Sequence, residues 1–211
     1  MRNSLGKLCV IAGVLLLLAA LSVFGYNRRE DAHAGAEAQA AVQELEEKVM
    51  ELSTAETPSD TADPDSEEPQ SSELPVILLD GYEYIGVLSI PSLDLRLPVM
   101  SDWSYPKLKL SPCRASGSSR TDDLVIAAHN YESHFGKLGS LSVGDSVEFT
   151  DMEGVENHYT VTKTDVLKPT DVDEVKASGY ALTLYTCTYG GKTRIVVFCQ
   201  RAENGTAGEI T

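Results

Sequence analysis

A cysteine and an arginine lie on two strand-like runs, LTLYTC and TRIVVFC, that Gly190 and Gly191 help to join. These glycines tolerate the positive φ angles of a tight type I′ hairpin. If they are the two loop residues, Cys187 lies opposite Arg194 on the same face of the sheet, with Cβ atoms ~5 Å apart. A fixed cation favours thiolate over thiol and can donate hydrogen bonds to an oxyanion. The hairpin therefore predicts a nucleophilic cysteine.

Two other interpretations of this hairpin stay open. Arg194 could simply extend into solvent beside a structural Cys187. A register slipped by one residue would place the two side chains on opposite faces. A base within reach of the thiol would favour the catalytic interpretation.

A histidine at the end of an apolar run is the candidate base. His129 follows LVIAA and precedes the polar loop NYESHFGK, where a side chain is both held and accessible. This position suits a general acid or base. His134 in the same loop is the nearest rival, whereas His158 lies on the polar side of an alternating strand and is expected to be solvated. A histidine at a strand end is by itself more often structural than catalytic.

Short β-rich runs separated by turns must position these residues. We predict an all-β domain over residues 76–204, a closed seven- to eight-stranded β-barrel with short helices, and a flexible tail over 205–211. The predicted strands are 83–90, 93–99, 124–129, 145–150, 157–167, 182–187 and 193–199. The segments 135–141 and 171–178 are candidates for short helices.

An uncharged, apolar segment precedes this domain. Residues 8–26 would form a helix of about 28 Å, enough for a single-pass membrane anchor after a cytoplasmic n-region at 1–7. The acidic residues that follow are easier to place outside, which predicts a cell-membrane protein with an extracytoplasmic domain. A cleaved signal peptide is the alternative.

Acidic residues separate the anchor from the domain. The formal net charge is −15, and residues 30–75 hold 14 Asp or Glu and one Lys. Such a charge excludes nucleic acid as a partner. We interpret residues 27–75 as a stalk, whose apolar stripe (Val42, Leu45, Val49 and Leu52) predicts a marginal coiled coil, followed from residue 53 by a disordered linker.

The other cysteines and a group of acids offer weaker candidates. Cys9 lies in the apolar segment, and nothing in the spacing of Cys113 and Cys199 favours the disulfide that an extracytoplasmic domain could form. Asp171, Asp173 and Glu174 could contribute to a Ca²⁺ site, although they lack a complete ligand set. A solvated helix start explains them better.

The residues together carry a family resemblance. His129 after an apolar strand, TLYTC ending at Cys187, and Arg194 on the next strand resemble the signature of sortases, the thiol transpeptidases of Gram-positive cell envelopes. The resemblance covers residues 83–201, and the segment after His129 is similar to class B-like sortases. Ala128 stands where many sortases have Gly, and the spacing from Cys187 to Arg194 is shorter than in class A.

The resemblance implies a mechanism and partners. Cys187 would attack a peptide bond in the C-terminal sorting motif of a secreted protein, His129 would protonate the leaving amine, and Arg194 would stabilise the oxyanion. An amine acceptor, either a cell-wall precursor or a pilin lysine, would then take the acyl group. No cofactor or metal is expected. Candidates for substrate contacts are Thr183, Thr186 and Asn130.

Three other functions remain as alternatives. An L,D-transpeptidase would place its cysteine in a Ser-x-Gly-Cys context, whereas Cys187 follows Tyr-Thr. A papain-like hydrolase would place the cysteine before the histidine, which is the reverse of the order here. A membrane-tethered β-barrel binding module without catalysis would have Cys187 as a structural residue.

Overall fold

The structure of the protein is a computed structural model that describes residues 2–55, 72–171, 175 and 178–202. One long helix precedes a domain of short strands. The helices are α1 (Arg2–Ala55) and α2 (Tyr105–Leu108), with 3-10 turns at Pro91–Leu93, Leu138–Ser140 and Pro169–Asp171. The strands are β1 (Ile77–Leu79), β2 (Tyr82–Ile90), β3 (Leu95–Met100), β4 (Cys113–Ser116), β5 (Leu124–Ala128), β6 (Ser146–Asp151), β7 (Glu156–Leu167), β8 (Leu182–Cys187) and β9 (Arg194–Arg201).

Eight of the strands close into a barrel. Their order is β2-β3-β4-β5-β8-β9-β7-β6, and β6 returns to pair with β2. Strand β1 pairs with the first residues of β2, ahead of the part that pairs with β6. Most neighbours are antiparallel, but β3 runs parallel to β4 and β5 runs parallel to β8. The prediction of an all-β closed barrel is therefore confirmed, and closure leaves few strand edges free for pairing with another chain.

The predicted strands match the observed strands to within two residues at either end. Two short strands, β1 and β4, were not predicted. β4 has the sequence CRAS, which is short and lacks the alternation of apolar residues that identifies a strand. The predicted helix at 135–141 is reduced to the 3-10 turn Leu138–Ser140. Most of the predicted helix at 171–178 lies outside the described residues.

Alternation along β8 decides which side chains face outward near its end. Leu182 and Leu184 belong to the buried core of the barrel, whereas Tyr185 packs on a separate cluster on the other face. Because successive side chains point to opposite faces of a strand, Thr186 points inward and Cys187 outward. The thiol thus lies on the outer face of the barrel.

Helix α1 packs on the barrel through an apolar stripe. Ala34, Ala38, Val42 and Leu45 are buried against the domain. The stripe expected to form a coiled coil thus contacts the barrel instead, and its last member, Leu52, stays 56% exposed. Small alanines continue the stripe towards the N-terminus and let the helix approach the sheet closely. The periodicity of the apolar residues correctly predicts a helix, but it does not indicate which surface covers the stripe.

The predicted stalk and anchor belong to this same helix. α1 runs without interruption through the anchor at 8–26 and through the stalk as far as Ala55. It is long and apolar enough to cross a membrane. The disordered linker predicted from residue 53 lies mainly outside the described residues, as does the tail at 205–211.

Candidate active site

The hairpin between β8 and β9 brings a thiol and a guanidinium together. Cys187 pairs directly with Arg194 in the antiparallel register, as the sequence predicts. The turn differs from the predicted type I′, because its hydrogen bond joins the Gly191 N–H to the Thr188 carbonyl at 2.8 Å. Gly190 nevertheless has a φ of 82° and Gly191 a φ of 72°. The glycines therefore allow a wider bend without changing the register.

Arg194 is held by the turn of its own hairpin. Its Nη1 donates to the carbonyl oxygens of Gly191 and Thr193, both at 3.1 Å. Because a guanidinium has five N–H donors in a planar fork, donors remain for an anionic ligand. Half-buried Cys187 is accessible to a reagent on the same face. This arrangement can stabilise negative charge that develops beside the sulfur.

The parallel pair β5 and β8 brings the histidine to the same end of the barrel. The last register pair is Ala128 with Thr186, so His129 and Cys187 are the next residues on the two strands. The Thr186 hydroxyl donates to the Ala128 carbonyl at 2.9 Å and joins the strands at this point. Neighbouring residues in a parallel register share one face of a sheet. His129, Cys187 and Arg194 thus follow one another across three adjacent strands.

The surroundings of His129 disfavour its protonated form. The pKa of His129 lies below its ordinary value, mainly because of burial and additionally because of the positive charge of Lys109. The Glu30 carboxylate and the Asn130 side chain act in the opposite direction. Tyr131 stacks on the imidazole with 4.1 Å between ring centroids and an angle of 19° between the planes. The imidazole is thus held on one face and surrounded by opposing charges.

The other histidines lie in unsuitable places for the reaction. His134 is fully buried, and burial together with the neighbouring charge of His129 lowers its pKa to about 4. His158 lies on β7 between Glu148 and Glu156, at 3.9 and 3.5 Å. It faces solvent, as the sequence predicts. His129 is the histidine that the strand register brings beside Cys187.

The three residues expected to contact substrate have different environments. Thr183 and Thr186 are 0% and 2% exposed, so neither hydroxyl reaches the surface in this structure. Thr186 is already committed to the Ala128 carbonyl. Asn130 is half-buried, and its side chain favours the protonated form of His129. Asn130 is therefore the one of the three at the surface beside the imidazole.

The remaining cysteines and acids do not assemble a second centre in the described part of the chain. Cys113 and Cys199 are free and buried in different clusters, and burial raises the pKa of each thiol to about 12. No group of three or more His, Cys, Asp or Glu within the described residues is placed to hold a metal ion. Of the acids considered for Ca²⁺, Asp173 and Glu174 lie outside the described residues.

Helix α1 contributes to the surroundings of His129, which the sequence did not predict. A cavity of about 450 Å³ lies between the helix and the loop after β5. Its lining includes Phe24, Arg28 and Glu30 from the helix together with His129 and Tyr189. No local pattern indicates a contact across about a hundred residues. The small residues of the stripe were the available signal that α1 packs closely on another element.

The chain has recognisable relatives among known proteins. A sortase domain model matches residues 88–202. The chain is 26% identical over 208 residues to Sortase A of Staphylococcus aureus, covering 92% of this chain and 94% of the relative. It is 30% identical over 128 residues to Sortase A of Bacillus anthracis, covering 57% and 60%.

A solved structure gives the same result. Sortase C1 of Streptococcus agalactiae aligns with a TM-score of 0.52 and 28% identity, covering 60% of this chain and 72% of that one. These relatives are sortases A and C, so the class B-like subclass stays a prediction. With the family match spanning more than half of its length and its barrel closed as expected, the chain belongs to the sortase family of transpeptidases.

Proposed function

We propose that Cys187 is the nucleophile of this sortase, that His129 is its general acid and base, and that Arg194 stabilises the oxyanion. The observation that carries the proposal is the register across β5, β8 and β9. It aligns Cys187 with Arg194 and places His129 one residue beyond the pair Ala128 and Thr186. Three groups with complementary chemistry on adjacent strands form an acyl-transfer centre.

The proposed reaction has two halves. The Cys187 thiolate adds to the carbonyl carbon of the scissile peptide bond, and Arg194 donates hydrogen bonds to the resulting oxyanion. The carbon–nitrogen bond then breaks as the His129 imidazolium gives its proton to the leaving amine. A thioester remains on Cys187. In the second half an acceptor amine attacks the thioester, His129 takes a proton from that amine, and the thiolate leaves.

The proposed acyl donors are secreted proteins with a C-terminal sorting motif. The proposed acceptor is an amine of the cell envelope, either a cell-wall precursor or a pilin lysine, with water as the slower alternative that makes the enzyme a hydrolase. We place residues 8–26 in the cell membrane as a single pass and the barrel outside it. The apolar side chains of this segment are exposed along the helix, which supports the assignment.

A mass measurement tests the nucleophile. The full chain in detergent is incubated with a library of candidate sorting peptides and a soluble primary amine, and its intact mass is recorded. We expect an acyl adduct on Cys187 and a transferred product, both absent from Cys187→Ala. Cys9→Ala is the matched control and should retain both, because Cys9 lies exposed on α1. Transfer by Cys187→Ala would exclude the mechanism.

A second comparison tests the assignment of the base. His129→Ala should lose transfer by about 10²-fold or more, the usual effect of removing a general acid or base. His158→Ala is the control, because that imidazole lies among glutamates on the exposed side of β7. A loss in His158→Ala equal to that in His129→Ala would show that the assignment is wrong.

A further inference from the structure

Tyr131 holds the imidazole of His129 on one side. The two rings are stacked with centroids 4.1 Å apart and an angle of 19° between their planes. The same phenol ring contacts His134 on the inner side of the loop, at 5.6 Å and 55°. Because the Tyr131 ring is packed between the two histidines, it restricts rotation of the half-buried His129 imidazole.

The stalk helix in turn holds Tyr131. The Glu30 carboxylate lines the same cavity as its phenol, and burial together with this carboxylate raises the pKa of Tyr131 to about 12. The hydroxyl therefore keeps its proton as a donor. Glu30 also pairs with Lys109 at 3.6 Å, which fixes the carboxylate between the helix and the barrel.

A second contact joins the same turn of α1 to the loop after β5. The backbone N–H of Ser133 donates to Oδ1 of Asp31 at 3.0 Å, and the Ser133 hydroxyl donates to the Asp31 carbonyl at 3.0 Å. Gly35, one turn further on, has space for no side chain, because an added Cβ would lie 2.8 Å from the Cβ of Ser133. Loop and helix thus pack with little freedom.

We propose that Tyr131 is a positioning residue for His129 and that Glu30 holds Tyr131. Helix α1 would then contribute to the geometry of the active site. The proposal rests on the proposed role of His129 as general acid and base. An imidazole that must reach both a leaving amine and an acceptor amine gains from a fixed plane, because small errors of orientation slow proton transfer. The helix would fix that plane from outside the barrel.

Several charged and titratable groups surround His129 and must be considered together. From α1 they are Arg28, Glu30 and Asp31; from the barrel and the loop after β5 they are Lys109, Tyr131, Glu132 and His134; from the hairpin between β8 and β9 they are Cys187, Tyr189 and Arg194. Within this set Lys109 disfavours the imidazolium, whereas Glu30 favours it. Removing the negative charge of Glu30 should therefore lower the pKa of His129 further.

The first test replaces the ring. Tyr131→Leu in the full chain should reduce kcat/KM of transfer by about three- to tenfold, mostly in kcat, because the stacking that fixes the plane of the imidazole is lost. Tyr131→Phe keeps the ring but removes the hydroxyl that interacts with Glu30, so it should recover only part of the loss. Equal losses in both variants, or none in Tyr131→Leu, would overturn the stacking role.

The second test removes one charge. Glu30→Gln should lower the pKa of His129, so the acid limb of the pH profile of kcat/KM should move to lower pH. The plateau of kcat/KM should fall by about two- to fivefold, since less imidazolium is present. Glu44→Gln is the matched control, because Glu44 lies on the same helix and pairs only at its surface with Lys48. An unchanged profile in Glu30→Gln, or the same shift in Glu44→Gln, would overturn the proposal.

A measurement without peptide separates this proposal from the one on which it rests. Alkylation of Cys187 by iodoacetamide is followed against pH, with the labelled site located by peptide mass. Alkylation that depends on His129 but not on Glu30 or Tyr131 would overturn the positioning role and keep the proposed nucleophile and base. Alkylation independent of His129 would instead remove the proposed catalytic pair itself.

Discussion

The Thr186 hydroxyl lies 2.9 Å from the Ala128 carbonyl and joins two strands at the residues just before the candidate nucleophile and the candidate base. The bond is buried and connects positions 58 residues apart in sequence. It fixes the relative height of Cys187 and His129 at the point where β8 and β5 end. A buried hydrogen bond at this position affects both stability and geometry.

Replacing Thr186 by Val should lower both stability and activity. The change keeps the shape of the side chain but leaves the Ala128 carbonyl without this donor, which costs about 1–3 kcal/mol of unfolding free energy. Thr183→Val is the control on the same strand, because the Thr183 hydroxyl is buried without a hydrogen-bond partner. We expect Thr183→Val to be neutral or stabilising. Thermal unfolding measures the stability of both variants, and peptide transfer measures their activity. A Thr186→Val variant with unchanged stability and activity would contradict the proposed role of the Thr186 hydroxyl.

The planar fork of Arg194 should be needed, beyond its charge alone. Arg194→Lys keeps a cation but loses the fork and its bonds to the Gly191 and Thr193 carbonyls. We expect kcat/KM to fall by about 10²-fold, the usual cost of removing one oxyanion donor. Lys192→Ala is the control, because it removes a different positive charge from the same hairpin. It should change kcat/KM by less than about twofold. Full activity in Arg194→Lys would favour a purely electrostatic role.

His134 should make the protein less stable in mild acid. Its pKa is lowered to about 4 in the folded state, against about 6.5 in the unfolded chain. Between these values the unfolded state binds the extra proton, so stability falls as the pH drops from about 6.5 to 4, by up to about 3 kcal/mol. His134→Leu should remove most of this dependence. Unfolding at pH 7.5 and at pH 5.0 provides the measurement, and an equal fall in both proteins would contradict it.

Packing of α1 on the barrel should depend on the buried part of its stripe. Leu45 is 0% exposed, and Leu45→Ala should weaken the contact by about 2–5 kcal/mol. Leu52→Ala lies on the same helix at an exposed position and should cost less than about 0.5 kcal/mol. Limited proteolysis between α1 and β1 reports how often the helix separates from the barrel. Equal protection of both variants would show that Leu45 is not an anchor point.

Local geometry explains why part of the site could be predicted from sequence. Cys187 and Arg194 lie seven residues apart, and the register of a hairpin follows from the position of its turn. The turn type itself was wrong, because Tyr189 and Gly190 occupy the centre of the observed turn. The predicted register is nevertheless correct, because the observed loop is centred on the same position and therefore pairs the same residues.

Distant contacts could not be derived in this way. The parallel pairing of β5 with β8 brings His129 beside Cys187, and no turn between these strands encodes it. The resemblance supplied that relationship, whereas the residues alone indicated only a histidine at a strand end. Packing of Glu30 near Tyr131 had no signal of either kind, because a surface glutamate on a polar helix face is unremarkable by composition.

The uninterrupted course of α1 sets how the enzyme would meet its substrates. Glu30 lies four positions after Tyr26, the last residue of the apolar segment, which corresponds to about 6 Å of helix rise. With residues 8–26 in a bilayer, as proposed, the cavity beside His129 would stay close to the lipid headgroups at one height and one tilt. Acyl donors would then be selected by how far their cleavage point stands from the membrane surface, before any side chain of the motif is read.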